Sequence, residues 1–376
     1  MVARLKVMTV LGTRPEIIRL SAVIKRLDEA TAHVLVHTGQ NYDYELNEVF
    51  FEELGVRRPD HFLGIDATTL GRALGGILIG AEQVLLDEQP DAFLVLGDTN
   101  SALSAIMAKR LKVPVFHMEA GNRSFDPNVP EEVNRKLVDH LADINMVYTE
   151  HARRHLLSEG FPHRRVLLTG SPMREVLDAA RPRFEASPVL EELQLEPGGF
   201  LLASVHREEN VDDPARLRVV LACLEAAAQD NRIPVIVSTH PRTRKRLGLL
   251  DSPLSPRLRL NPPFGYFAYN RLQMTARCVI SDSGSVSEES AVLGFPAVTI
   301  RDSMERPEAL DTGTIIVTGL DPARVVDAVR LQVGRYAAGR PQAPPEYLID
   351  DVSDRVVAAI AGLASVVPSW TGLRNN

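Results

Sequence analysis

A chain of 376 residues exceeds what one ordinary hydrophobic core organises, so two domains are expected. Hydrophobic residues at 45% and charged residues at 24% mark a globular protein, and a formal net charge of −7 argues against a general nucleic-acid or membrane-surface binder. No apolar run approaches the ~18 residues of a membrane span, no signal-peptide core opens the chain, and the two cysteines, Cys223 and Cys278, sit in apolar contexts. Reduced core thiols and a cytoplasmic setting are the expectation.

The first half alternates strands with longer helical patterns. Residues 5–11 read as a strand, and Gly12-Thr13-Arg14-Pro15 turns into a helix from about Glu16. Further strands are expected at 33–38, 92–98, 113–118 and 144–148, with a helix over 101–111. Prolines at 172, 182, 188 and 197 make 172–199 the best linker candidate. A second alternation follows, with strands at 200–205, 235–238, 278–281, 297–300 and 314–317 and helices at 214–229 and 286–293. Strands interleaved with helices imply parallel sheets, so the chain reads as two Rossmann-like halves, 1–180 and 181–352. A last helical stretch, 353–376, is placed to return to the first half.

In doubly wound sheets ligands bind beyond the C-terminal ends of the strands. The chemically dense motifs lie there. His117-Met118-Glu119-Ala120-Gly121-Asn122-Arg123 and Pro130-Glu131-Glu132 with Asn134-Arg135 crowd acids and arginines into some twenty residues after a strand. Pairing of Glu119 with Arg123, and of Glu131 and Glu132 with Arg135, is expected, as acid–base chemistry on an anionic ligand requires acids held among fixed cations. Asp98 ends an apolar strand, where it serves as a base or as a helix cap. Ser281 to Glu289 is a small-residue turn entering a helix; it suits a phosphate, or it is an N-cap with an acidic first turn. Glu289 lies one turn inside, within reach of a ribose diol. Arg14 and Arg19 are phosphate candidates, with a solvated pair as the plainer reading, and Arg306 is either a diphosphate clamp or the ion-pair partner of Glu305 or Glu308. His206 follows a strand, and the run His240 to Arg246 is a solvated face or an anion rim. No GxGxxG, P-loop or zinc spacing occurs, so neither metal nor nicotinamide cofactor is expected.

These ordered blocks, with Gly97-Asp98-Thr99, His206-Arg207-Glu208-Glu209, Asp282-Ser283-Gly284 and Arg301-Asp302, resemble the non-hydrolysing UDP-N-acetylglucosamine 2-epimerases over nearly the whole length. The resemblance implies a GT-B-type architecture, two Rossmann-like doubly wound parallel-sheet domains with the nucleotide sugar in the interdomain cleft. It implies C2 inversion of a UDP-N-acetylhexosamine by loss of UDP, a 2-acetamidoglucal intermediate and re-addition. By position it assigns catalytic roles to Asp98, Glu119, Glu131 and His206. UDP contacts fall to Arg14, Arg19, His206, Ser283, Gly284, Ser285, Glu289 and Arg306. A UDP-sugar is the implied partner, with a homodimer as the inherited expectation. A GT-B glycosyltransferase and a hydrolysing 2-epimerase releasing free sugar and UDP are the alternatives.

The chain departs from the family pattern at three points. Arg19 stands where a lysine is usual, which keeps the charge and changes the geometry. Ala120-Gly121-Asn122-Arg123 replaces Ala-Gly-Leu-Arg, and the loop to Pro130 is short. Asn41 follows Gln40 where members that respond to UDP-GlcNAc as activator carry His. The blocks 36–48, 119–125 and 206–211 are similar to a branch making UDP-N-acetyl-L-fucosamine, which acts on a 6-deoxy-L-hexosamine.

Overall fold

The computed structural model describes residues 4–39, 51–249, 254–302 and 304–371. Gln40, Asn41 and the rest of the block to Glu48 lie outside the described residues.

Two compact units divide the chain, residues 1–176 with 346–376 and residues 177–345. In the first, seven parallel strands are ordered β3-β2-β1-β4-β5-β6-β7: β1 Lys6–Leu11, β2 Ala32–His37, β3 His61–Phe62, β4 Ala92–Leu96, β5 Val115–Met118, β6 Ile144–Val147 and β7 Val166–Leu168. The central strands are buried on both faces. That is why they read as continuous apolar runs rather than alternating ones. Met8, Val10, Phe93, Val95 and Val115 form a core with Val84, Leu103 and Val138 from flanking helical segments. Helix Val352–Leu363 packs against helix Arg14–Ala30, burying Val352, Val356 and Ile360.

The second unit repeats the plan with six parallel strands ordered β10-β9-β8-β11-β12-β13: β8 Leu201–Ser204, β9 Val235–Ser238, β10 Leu258–Asn261, β11 Val279–Ser281, β12 Ala297–Thr299 and β13 Ile315–Val317. Cys223 and Cys278 are buried in this core as free thiols, and burial pushes them up to about 11 and about 12.

The proline-rich segment expected as a linker is folded instead. It forms helix Met173–Glu185, with Pro182 inside it, and helix Val189–Glu192. The apolar stripe Val176, Leu177, Ala180 and Phe184 is buried, and its burial outweighs the backbone hydrogen bond that Pro182 forfeits. No helix among the described residues is long and apolar enough to cross a membrane.

Candidate active site

The strand order reverses between β1 and β4 in the first unit and between β8 and β11 in the second. Such switch points open a crevice at the carboxyl ends of the strands. The motif residues collect at these two places.

In the first unit, Glu16 ties the loops after β1 and β4 together. It is the third residue of helix Arg14–Ala30, reaching back over the helix entry in the manner of a capping-box glutamate. Its Oε2 accepts from Gly12 N–H (3.0 Å) and Thr13 Oγ1 (2.8 Å); its Oε1 accepts from Thr99 Oγ1 (2.9 Å) and Ser101 Oγ (2.6 Å). Glu16 is buried, and burial raises its pKa against the pull of these four donors. Arg14 opens the helix and is part-exposed.

Beyond Glu16 runs a chain of alternating charge. Arg19 Nη1 lies 3.4 Å from Glu119, Glu119 lies 3.7 Å from Arg135 Nη2, and Arg135 Nη2 pairs with Asp98. Arg19, Glu119 and Arg135 are all buried, so these ions sit where solvent screens them little. Arg135 is brought to Asp98 by helix Pro130–Leu141, and its neighbour Asn134 donates to the Asp98 carbonyl at 3.0 Å. Glu131 sits in the first turn of that helix and is exposed to solvent.

Two expected pairings are corrected. Arg123 binds Asp139 (2.7 Å) and Glu159, the latter in a two-pronged contact, rather than Glu119. Glu132 accepts from Ser124 N–H (2.8 Å) and pairs with Lys136 at 3.0 Å, leaving Arg135 to Asp98 and Glu119. Glu119 itself has φ 59°, a left-handed backbone for a non-glycine residue. Two residues on, Gly121 has φ 77°, and a Cβ there would lie 2.5 Å from the Ala152 carbonyl oxygen. The turn between β5 and the following loop therefore aims Glu119 away from Arg123 and toward Arg19 and Arg135.

In the second unit a different carboxylate performs the stitching. Asp282, fully buried after β11, accepts from the backbone N–H of His206 (3.1 Å) and Arg207 (3.0 Å) and from Asn210 Nδ2 (3.0 Å) in the loop after β8. His206 Nδ1 also lies 3.3 Å from Asp282, with the side chain 40% exposed. Ser283 N–H donates to Ser281 Oγ, and the Ser283 and Ser285 hydroxyls meet at 3.0 Å ahead of helix Val286–Leu293. A Cβ on Gly284 would stand 3.9 Å from both Arg207 Nη2 and Arg301 Nη1, so two guanidiniums flank this turn. Arg301 is bound by Glu305 at 2.9 Å. Arg306 Nη1 lies 3.2 Å from Glu288, a partner that the sequence reading did not anticipate. Glu289 accepts from Gln273 Nε2 at 2.7 Å. In the basic run after β9, Arg242 and Arg246 pair with Asp212, so part of it is tied to acids.

Helix N–H groups, serine hydroxyls and guanidiniums around Ser283 and Gly284 form a surface suited to phosphate. The first unit gathers Asp98, Glu119, Arg19 and Arg135. Sequence reasoning did not single out Glu16, Arg207, Arg301 or Asp139 as organising residues. Glu16, Arg207 and Arg301 stand in or beside a strand-end motif, which is the signal that marks them; Asp139, in the last turn of helix Pro130–Leu141, carries no such signal.

Comparison with known proteins follows the same division into two sheets. Residues 25–361 match the family described as UDP-N-acetylglucosamine 2-epimerase. The structure of UDP-N-acetylglucosamine 2-epimerase from Rickettsia bellii is similar at 42% identity and TM-score 0.91, over 99% of this chain and 100% of that one. The Methanocaldococcus jannaschii UDP-GlcNAc 2-epimerase, in complex with UDP-GlcNAc and UDP, is similar at 33% identity and TM-score 0.87, over 95% of this chain and all of that one. A Pseudomonas aeruginosa UDP-2,3-diacetamido-2,3-dideoxy-D-glucuronate 2-epimerase is 37% identical over 88% of this chain and 93% of its own length.

Proposed function

The chain belongs to the UDP-N-acetylglucosamine 2-epimerase family and is an isomerase of that kind, and we propose that it inverts C2 of a UDP-N-acetylhexosamine without hydrolysing it. The observation that carries the reading is the alternating chain Asp98–Arg135–Glu119–Arg19 at a strand-order switch point, with Glu131 exposed on the helix that bears Arg135.

The C2 hydrogen of a sugar is a poor acid, so a carboxylate must be oriented against it and a second must return a proton on the opposite face. Glu119 and Glu131 take these roles. One removes the C2 proton while the C1–O bond breaks and UDP departs; the 2-acetamidoglucal remains. UDP oxygen then re-forms the C1–O bond and the other acid delivers a proton to C2; the two acids end with exchanged protonation, and proton exchange with solvent restores the starting state. Arg19 and Arg135 fix Glu119 in orientation, and Asp98 supports the same network. In the second unit His206, Ser283, Gly284, Ser285 and Arg306 meet the diphosphate that gains charge on departure, and Glu289 takes the ribose. Arg14 and Arg19 are the first unit's cations for the nucleotide. A dimer working in the cytoplasm is part of the same reading.

The sugar is the open variable. A UDP-N-acetylglucosamine 2-epimerase and a UDP-2,3-diacetamido-2,3-dideoxy-D-glucuronate 2-epimerase are 36% and 37% identical to this chain, and the loop motifs favour trying a 6-deoxy-L-hexosamine as well. Incubating the enzyme with a panel of UDP-sugars in deuterated water and following products by NMR tests the proposal. Deuterium at C2 of both epimers, with no free sugar, is the expected result. Accumulation of free sugar and UDP identifies hydrolysis, and no incorporation with any UDP-sugar rejects C2 chemistry.

A further inference from the structure

The Glu119 turn is held by a group that stands outside the proposed reaction. Asp139, on the last turn of helix Pro130–Leu141, is completely buried. Its carboxylate accepts from Gly121 N–H at 3.2 and 3.3 Å and pairs with Arg123 Nη1 at 2.7 Å. His117 Nδ1 approaches Asp139 Oδ1 to 3.0 Å, an ion contact outside good hydrogen-bond geometry, while His117 Nε2 donates to the Gly97 carbonyl at 2.7 Å. Asp139 thus grips the chain two residues before Glu119, two after it and four after it. Through His117 it also reaches the residue preceding Asp98.

A left-handed non-glycine backbone costs of order 1–3 kcal/mol and persists only where its surroundings over-determine it. Asp139 supplies that determination at the carboxylate end of the turn. Arg135, one helical turn earlier on the same helix, supplies it at the Glu119 side chain. Burial pushes the Asp139 pKa up, yet His117 and Arg123 outweigh burial and hold it below the ordinary aspartate value, so the gripping form is the anion.

We propose that Asp139, buttressed by His117, is a positioning residue for Glu119: it fixes the turn that aims the Glu119 carboxylate. This rests on the C2-epimerisation reading, in which Glu119 moves a proton. Asp139 touches no reacting atom in this account. Its removal therefore lowers proton transfer and leaves nucleotide affinity alone.

The test is a double-mutant cycle with Asp139→Asn and Glu119→Gln in the full chain, read as C2 deuterium exchange and as UDP binding. Asp139→Asn is expected to lower kcat about 100-fold, the scale of a ~1 Å misplacement, with KM and UDP affinity within threefold of wild type. In the Glu119→Gln background the same substitution is expected to change the residual exchange by less than threefold, because the group it positions is gone. A full 100-fold loss in both backgrounds, or an unchanged kcat in the single variant, overturns the proposal. Should Asp139→Asn fail to fold, His117→Gln gives the same reading: a kcat loss confined to the Glu119 background supports the proposal, and none overturns it. A wild-type enzyme silent toward every UDP-sugar rejects the functional reading instead, so the two failures are distinct.

Discussion

The two switch points solve one problem with opposite chemistry. Each unit ties the loops of its two central strands together with a buried carboxylate, Glu16 in the first and Asp282 in the second. Glu16 reaches from the first turn of the helix after β1 and is held by one backbone N–H and three hydroxyls. Asp282 reaches from the loop after β11 and is held by two backbone N–H groups and an amide. The first unit then surrounds its switch point with acids already matched to guanidiniums. The second surrounds its own with serine hydroxyls, a helix N-terminus and guanidiniums that are themselves paired with acids, Arg207 and Arg301 with Glu305 and Arg306 with Glu288. In the reading proposed above, the first unit takes the proton chemistry and the second the anion binding. The folds are near copies; the labour is set by the loops.

The sharpest way to break that division is to disable one acid and ask whether the nucleotide notices. Glu131→Gln removes a general acid–base group that is solvent-exposed, so the fold is expected to stand. C2 exchange should drop by roughly 10²- to 10⁴-fold, with UDP binding by calorimetry unchanged; lost UDP affinity would erase the distinction between the units. The converse substitution is Asp282→Ala. It leaves two part-buried backbone N–H groups and the buried Asn210 amide without their acceptor, a loss of about 2–5 kcal/mol in denaturant unfolding, and it should weaken UDP binding at the same time. Retained UDP affinity in that variant would separate the Asp282 stitch from the nucleotide surface.

The smallest effect sharpens the comparison by pH. Glu16 has a folded-state pKa above the unfolded value because burial penalises its anion. Wherever it is ionised in both states, its burial works against the fold. As pH falls through the folded pKa, the native state takes up the proton first and wild type gains stability. Glu16→Gln lacks this term. The stability difference between wild type and Glu16→Gln should move in favour of wild type as pH falls through the folded pKa toward the unfolded value. A difference that moves the other way contradicts the burial argument.

Much of this was legible in the sequence because parallel strands buried on both faces announce themselves as apolar runs, and the motifs sit at their ends. Three strands escaped notice, being short or weak in that signal. β3 is only His61–Phe62, β7 is the three residues Val166–Leu168, and β10, Leu258–Asn261, is half exposed with Arg259 inside it. The boundary between the units, at 176/177, falls inside the proline-rich 172–199, but the segment is helical rather than loop, because Pro182 is absorbed in a helix with a buried stripe ending in Phe184. At the site, residue types and their order marked Asp98, Glu119 and Arg135. Partner choice was not legible. Glu119 and Arg123 are near neighbours in the chain, yet a left-handed turn at Glu119 sends them to different partners, and Arg123 finds Asp139 and Glu159 from later helices.

The central claim, that a first-unit acid moves the C2 proton while the second unit holds the nucleotide, is met most directly by measuring C2 deuterium exchange and UDP affinity together in Glu119→Gln. Exchange reduced by at least 10²-fold, with UDP dissociation constants within threefold of wild type, is the predicted pair. Exchange at the wild-type rate in that variant would contradict the account.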